Sequence, residues 1–173
     1  MVHPWGACFD EDSEVLILGT FPSPKSRDMG FCYGHPQNAF WRTLAAVLGK
    51  PEPPRDVDAR RAFALENHVA LWDVLHACEI DGASDLSIRN PEPNRFAPLL
   101  AETRIRTIFT TGRKATELYA QLCEKEVGMP AVYLPSTSPA NRAMQAKPAY
   151  MDLWGQVAAA LDAGCDSAVD SLS

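Results

Sequence analysis

Apolar residues in this chain follow two patterns that alternate: short unbroken runs, and longer stretches at helical spacing. Val15 to Leu18 (VLIL) is the clearest run, and it predicts a strand over Glu14–Thr20. Its continuity marks a central strand covered on both faces. His68–Leu71 (HVAL), Ile105–Thr111 (IRTIFTT) and Pro130–Leu134 predict three further strands. Helices are predicted between them. One runs over Asn38–Leu48, ended by Gly49 and the prolines at 51, 53 and 54. Another covers Asp58–Asn67 with Asp58 as N-cap, and a third starts at Asn94, which caps it, and ends at Glu102. Gly112 opens a fourth, to Cys123. Over Pro148–Ala163, Leu153, Val157, Ala160 and Leu161 recur at helical spacing and predict the last. Strand alternating with helix predicts an α/β fold, a three-layer αβα sandwich around a mostly parallel four-stranded sheet. Residues 79–94 hold Gly82, Pro91 and Pro93 without periodicity and read as a long connection. Residues 1–13 read as a polar, irregular lead-in, with no chemistry assigned to Trp5, and residues 164–173 as a flexible tail. The expected organisation is a single domain over residues 1–163, long enough for a real core.

Two polar loops interrupt this pattern where an open α/β sheet presents a site, beyond the carboxyl ends of strands. The first covers residues 21–36. Pro22, Pro24 and Pro36 restrict it while Gly30 and Gly34 permit unusual dihedrals, so it reads as pre-shaped. The second is Leu134–Arg142 (LPSTSPANR). Familiar phosphate-binding and nucleophile signatures are missing: the chain has no GxxxxGK[ST], no GxGxxG and no Gly-x-Ser-x-Gly. His35 and His76 are too isolated to form a metal pair. Backbone amides, aromatics, Asn, Ser and one or two Asp remain. That set suits a flat aromatic ligand bearing a phosphate and a reaction without a strong nucleophile.

Composition narrows the class. Apolar residues make up 46% and charged residues 22%, as in ordinary soluble globular proteins. No apolar run approaches membrane-spanning length, and no secretory signal precedes the first strand. The five cysteines (Cys8, Cys32, Cys78, Cys123, Cys165) lack metal-ligand spacing and suggest reduced thiols in a cytoplasmic setting, with structural roles. A net charge of −6 argues against a generic nucleic-acid coat protein. The charge is uneven, however: acid clusters near the two ends, while Val127–Met151 contains none and carries Arg142 and Lys147. A locally positive face suits a phosphate backbone, and ordinary solvated surface fits the same charges.

GTFPSPKS, then YGHPQNAFW, then LPSTSPAN resemble, in order and in setting, the motifs of the uracil-DNA glycosylase superfamily. The similarity is closest to its deoxyinosine (hypoxanthine) DNA glycosylase family and spans about Val15 to Trp154. Relatives carry Asn or Asp two residues after the first glycine; here Phe21 holds that place and has no side chain to position water. The resemblance therefore implies Asn38 as the residue orienting the attacking water, although its position also suits a helix cap. It implies that Tyr33 stacks on the extruded base, where a core aromatic is the other reading. Asp73 falls where relatives read the base edge; as a carboxylate it accepts the N1–H of hypoxanthine, or it caps a following helix. Amides from Thr20 through Phe21 to Ser23 then face O6. In the second loop, Ser136, Ser138 and Asn141 would hold flanking phosphates, with Pro139, Ala140 and Arg142 as a wedge; a plain turn explains the same residues. Ser23 and Ser26 either contact phosphate or make local turn bonds.

The resemblance implies a monofunctional DNA glycosylase of base-excision repair acting on single- or double-stranded DNA with a deaminated base, hypoxanthine preferred. The expected enzyme is a cytoplasmic monomer, nucleoid-associated in a bacterium, without cofactor, metal or membrane partner. Three alternatives stay open. They are a uracil or mismatch-specific uracil glycosylase, a catalytically silent nucleic-acid binder, and a hydrolase of free nucleotides.

Overall fold

The computed structural model describes residues 1–170. In chain order the elements are β1 (Val15–Gly19), α1 (Pro24–Met29), α2 (Phe40–Val47), α3 (Val57–Glu66), β2 (Val69–Asp73) and β3 (Leu75–Glu79). A 3-10 turn (Asp85–Ser87), β4 (Arg89–Pro93), α4 (Ala97–Ala101), β5 (Thr107–Thr111), α5 (Arg113–Leu122) and α6 (Glu124–Val127) follow. β6 (Ala131–Leu134), a second 3-10 turn (Pro139–Asn141), α7 (Arg142–Gln145) and α8 (Pro148–Asp170) complete the order. The central sheet runs β2-β1-β5-β6, with every pair parallel.

The apolar run of β1 alternates between two layers, as a strand's period of two requires. Val15 and Ile17 pack toward α2, α3 and α8 with Phe40, Trp41, Leu44, Ala64, Trp154 and Val157. Leu16 and Leu18 pack on the other side with Leu75, Cys78, Leu99, Ala115, Leu118 and Tyr119. Both faces are covered, so the strand reads as continuously apolar. The chain leaves β1 for β2 on one side and returns past it to β5 on the other. A crevice opens where these connections diverge, at the carboxyl ends of β1 and β5.

Several expected elements differ. The first loop contains α1, capped by Ser23, whose Oγ accepts from the Ser26 amide, and ended by Gly30 in a left-handed conformation. The N-cap of α3 is Asp56, not Asp58; its side chain accepts from the Ala59 amide. Asn94 caps nothing: α4 begins after Phe96, and the Asn94 side chain is buried and donates to the Asp73 carbonyl. The long connection over 79–94 contains most of an antiparallel hairpin, β3 with β4. Its ladder shifts register twice and β4 holds two prolines, so the alternation that betrays a strand is absent. The lead-in is tied down by bridges from Val2 to Ala77 and from Cys8 to Leu71. Helix α8 continues through residues 164–170, read above as tail; residues 171–173 lie outside the described residues.

Candidate active site

Gly19, Asp73 and Thr111 end three adjacent parallel strands, and all three line one cavity of about 290 Å³. Register places Gly19 beside Asp73. A β-carbon on Gly19 would lie 2.5 Å from Asp73 Oδ1 and 3.3 Å from the Tyr33 hydroxyl, so only glycine lets these groups meet. Asp73 is 7% exposed, and its Oδ2 sits 2.8 Å from His3 Nε2. His3 Nδ1 accepts from the Trp5 amide, so Nε2 carries the proton and donates to Asp73. This leaves Oδ1 on the Gly19 side. Asp73 does not cap a helix, because β2 passes directly into β3.

Tyr33 sits at φ 54°, a left-handed conformation unusual for an aromatic. Its ring stacks on Phe40 with centroids 3.8 Å apart and planes 5° from parallel. Thr111 Oγ1 donates to the Leu18 carbonyl, so the Tyr33 hydroxyl donates to Thr111 Oγ1 across 3.1 Å. Burial, followed by the nearby Asp73 charge, pushes the Tyr33 hydroxyl well above its ordinary pKa, which keeps it neutral. The core and plate readings of Tyr33 are compatible: one part packs on Phe40 and another lines the cavity.

Asn38 precedes α2. Its Oδ1 accepts from the Phe40 amide at 2.9 Å, and the residue lines the cavity. The N-cap itself is Ala39, so Asn38 is not the cap but makes a turn bond just before it, which does not exclude the other role. An amide oxygen has two lone pairs, so one is left for a water proton. Phe21, 7% exposed, forms an apolar wall and meets His3 edge to face. Among the described residues the Phe21 and Ser23 amides donate to no protein acceptor, and both residues line the cavity. The lining thiol of Cys32 is buried, and that burial is the largest effect holding its pKa well up, so it is inert.

The two loops are joined. The Ala39 amide donates to the Thr137 carbonyl at 2.9 Å, which couples the start of α2 to the second loop. Ser136, Thr137, Ser138 and Pro139 line the same cavity as Tyr33 and Asn38. The second loop is also braced from behind. Trp154 Nε1 donates to the Pro135 carbonyl, Asn141 Nδ2 to the Ser136 carbonyl and Gln145 Nε2 to the Ser138 carbonyl. Asn141 thus shapes the loop, and Ala140, Asn141 and Arg142 lie beyond the cavity lining, with Arg142 exposed. In the first loop Ser26 is 4% exposed and its Oγ accepts from the Gly34 amide and from Ser23. For Ser23 and Ser26 the local-turn bonds are present, although both line the cavity.

Three lining or supporting groups were not legible in the sequence: His3, Asp85 and Thr111. Asp85 Oδ2 accepts from Thr20 Oγ1 at 3.2 Å. Among the described residues no cluster of three or more His, Cys, Asp or Glu side chains is arranged to hold a metal ion.

The family model described as the uracil DNA glycosylase superfamily matches residues 7–157. The chain belongs to that superfamily. Within it, the chain is similar to a protein of Methanosarcina acetivorans named hypoxanthine DNA glycosylase, 35% identical over 79% of this chain and 85% of the relative. A protein of the same name from Methanosarcina barkeri is 33% identical over 77% of this chain and 84% of its own length. The solution NMR structure of a Methanosarcina acetivorans protein described as a candidate uracil DNA glycosylase superposes with a TM-score of 0.76 at 32% identity. That likeness covers 94% of this chain and 99% of the other. The α/β fold class and the reading as a DNA glycosylase, a hydrolase, are borne out together with the superfamily. Among the described residues no helix is long and apolar enough to cross a membrane.

Proposed function

We propose that this superfamily member is a monofunctional glycosylase that releases hypoxanthine from DNA by hydrolysis. The observation that carries the reading is the shared cavity. Asn38, Tyr33, Asp73 and the second loop all face one hollow at the switch point of the sheet. A purine swung out of the duplex would lie against Tyr33, with its N1–H on Asp73 Oδ1 and its O6 toward the amides of residues 20–23. The C1′–N9 bond breaks with its electron pair passing to the base, and amide dipoles stabilise the developing charge. Water held by Asn38 Oδ1 adds to C1′ and loses a proton to solvent. Ser136, Ser138 and the segment Pro139–Arg142 then face the flanking backbone, where Arg142 supplies positive charge. The two Methanosarcina relatives named for hypoxanthine support this base over uracil. A monomer in the cytoplasm, acting on single- or double-stranded DNA, is the corresponding cellular picture.

The test is an excision assay on oligonucleotides carrying one deoxyinosine or one deoxyuridine, with abasic sites cleaved afterwards by hot alkali, for the wild type and Asn38→Ala. The wild type should release hypoxanthine. Asn38→Ala should lose roughly 10²-fold or more of turnover while still binding the oligonucleotide. Uracil release without hypoxanthine release overturns the substrate. Full turnover by Asn38→Ala overturns its role.

A further inference from the structure

The β3–β4 hairpin brings to the cavity a carboxyl group that the hydrolysis above does not use. Asp85 opens the 3-10 turn of the hairpin and lines the cavity with Ile80 and Ala83. The turn is braced: Ser87 Oγ accepts from the Asp81 amide at 2.9 Å and donates to the Ser84 carbonyl at 2.6 Å. Asp85 is therefore presented on a fixed support. Its Oδ2 accepts from Thr20, the residue after Gly19, and Gly19 pairs with Asp73. Asp73, Thr20 and Asp85 follow one another around the floor.

The two carboxyl groups have opposite surroundings. Asp73 accepts a hydrogen bond from the Nε2–H of buried His3 and so acts as an acceptor. Asp85 has no imidazole or other basic side chain in contact among the described residues; the one hydrogen bond to its carboxyl is from the Thr20 hydroxyl. Burial raises its pKa most, the Thr20 hydrogen bond opposes this, the Asp73 charge raises it further, and Lys114 on α5 pulls it down. The net direction is up, toward the protonated acid. A carboxylate already held by a donor serves as acceptor, and a buried carboxyl without one, raised toward its acid form, serves as donor.

Hypoxanthine presents a matching sequence along one edge: the N1–H donor, the O6 acceptor, then the N7 acceptor. We infer that Asp85 is the general acid of this site, giving its carboxyl proton to N7 of the extruded hypoxanthine while Asp73 accepts N1–H. As the C1′–N9 bond breaks, its electron pair enters the ring system and the Asp85 proton goes to N7. Neutral hypoxanthine leaves and Asp85 becomes a carboxylate. Water adds to C1′, and its released proton returns through solvent to Asp85. No oxidant or other reactant is required. A pyrimidine has no N7, so the step is specific to a purine. The inference deepens the proposed function and rests on it.

The experiment measures single-turnover excision of deoxyinosine from a single-stranded oligonucleotide between pH 5 and pH 9, for wild type, Asp85→Asn and Asp85→Glu. Binding to an uncleavable 2′-fluoro-arabino-inosine oligonucleotide and thermal melting are measured alongside. The protonated acid is the active form, so the wild-type rate should fall as pH rises through the Asp85 pKa. Asp85→Asn should be at least about 10²-fold slower, lack that descending limb, bind the analogue within about threefold of wild type, and melt normally. Asp85→Glu should recover part of the rate with a displaced limb. With 7-deaza-deoxyinosine, which keeps N1–H and O6, the wild type should be no faster than Asp85→Asn on deoxyinosine. An Asp85→Asn rate within threefold of wild type overturns the inference, as does an unchanged limb or full-speed excision of the 7-deaza base. A wild type inactive on deoxyinosine defeats the proposed substrate itself, a failure distinct from these.

Discussion

The first and second loops look alike in sequence, since both contain Ser and Pro in close succession and are placed after a strand. Their surroundings separate them. Around the first loop, Phe21, Ser26 and Phe31 are buried, and Ser26 spends its hydroxyl on the loop's own backbone. In the second, Leu134 and Thr137 anchor the loop while Ala140 and Arg142 are exposed, in a stretch of sequence without acidic residues. Similar residues thus serve different ends. The buried Ser26 hydroxyl fixes the shape of a cavity wall, whereas the second loop is braced from behind by Trp154 and Gln145; under the proposed function the first would meet the base and the second the phosphate chain.

Mutations that break the first wall should have the largest effects. Gly19→Ala places a β-carbon 2.5 Å from Asp73 Oδ1. Displacing that carboxylate should cut single-turnover excision by roughly 10²-fold, since misplacement of about 1 Å has that cost. The melting temperature should fall as well. Tyr33→Ala removes the plate, and loss of stacking worth about 1–3 kcal/mol per base predicts weaker binding by roughly five- to 150-fold. Titration with the uncleavable inosine oligonucleotide measures this, and an unchanged affinity would show that Tyr33 is only a core residue. His3→Ala frees Asp73 Oδ2 from its donor. A hydrogen bond to a charged group is worth about 1.5–3 kcal/mol, so excision should drop by about tenfold or more. His3→Gln, which keeps an N–H donor, should restore part of it. The outward loop should show the smallest change. Arg142→Ala should weaken binding a few-fold, alike for damaged and undamaged DNA, and lower the salt slope by about 1. An effect confined to deoxyinosine-containing DNA would place Arg142 in base recognition and erase the contrast between the loops.

The same contrast explains what was legible in the sequence. Strand β1 is fully buried on both faces, so its apolar run reads directly from VLIL. Asn38 and Tyr33 sit in a motif of contiguous residues, and the structure brings both to the cavity. The other contributors depend on contacts distant along the chain. His3 reaches Asp73 across 70 residues from a lead-in with no periodic pattern. Asp85 hides in a Gly- and Ser-containing turn of a hairpin whose strand β4 has two prolines and irregular pairing, and Asn90 there takes φ 49°. No local rule announces either. The cap of α3 was misplaced for a smaller reason: Asp56 and Asp58 are both good caps, and only the bond to the Ala59 amide decides between them.

The central claim is that one loop takes the base while the other takes the backbone, and that excision needs both. Mass-spectrometric measurement of hypoxanthine released from equal concentrations of a deoxyinosine-containing oligonucleotide and of free deoxyinosine tests it most directly. The account predicts release from the oligonucleotide alone. Comparable hydrolysis of the free nucleoside would contradict it, because the second loop would then contribute nothing to the reaction.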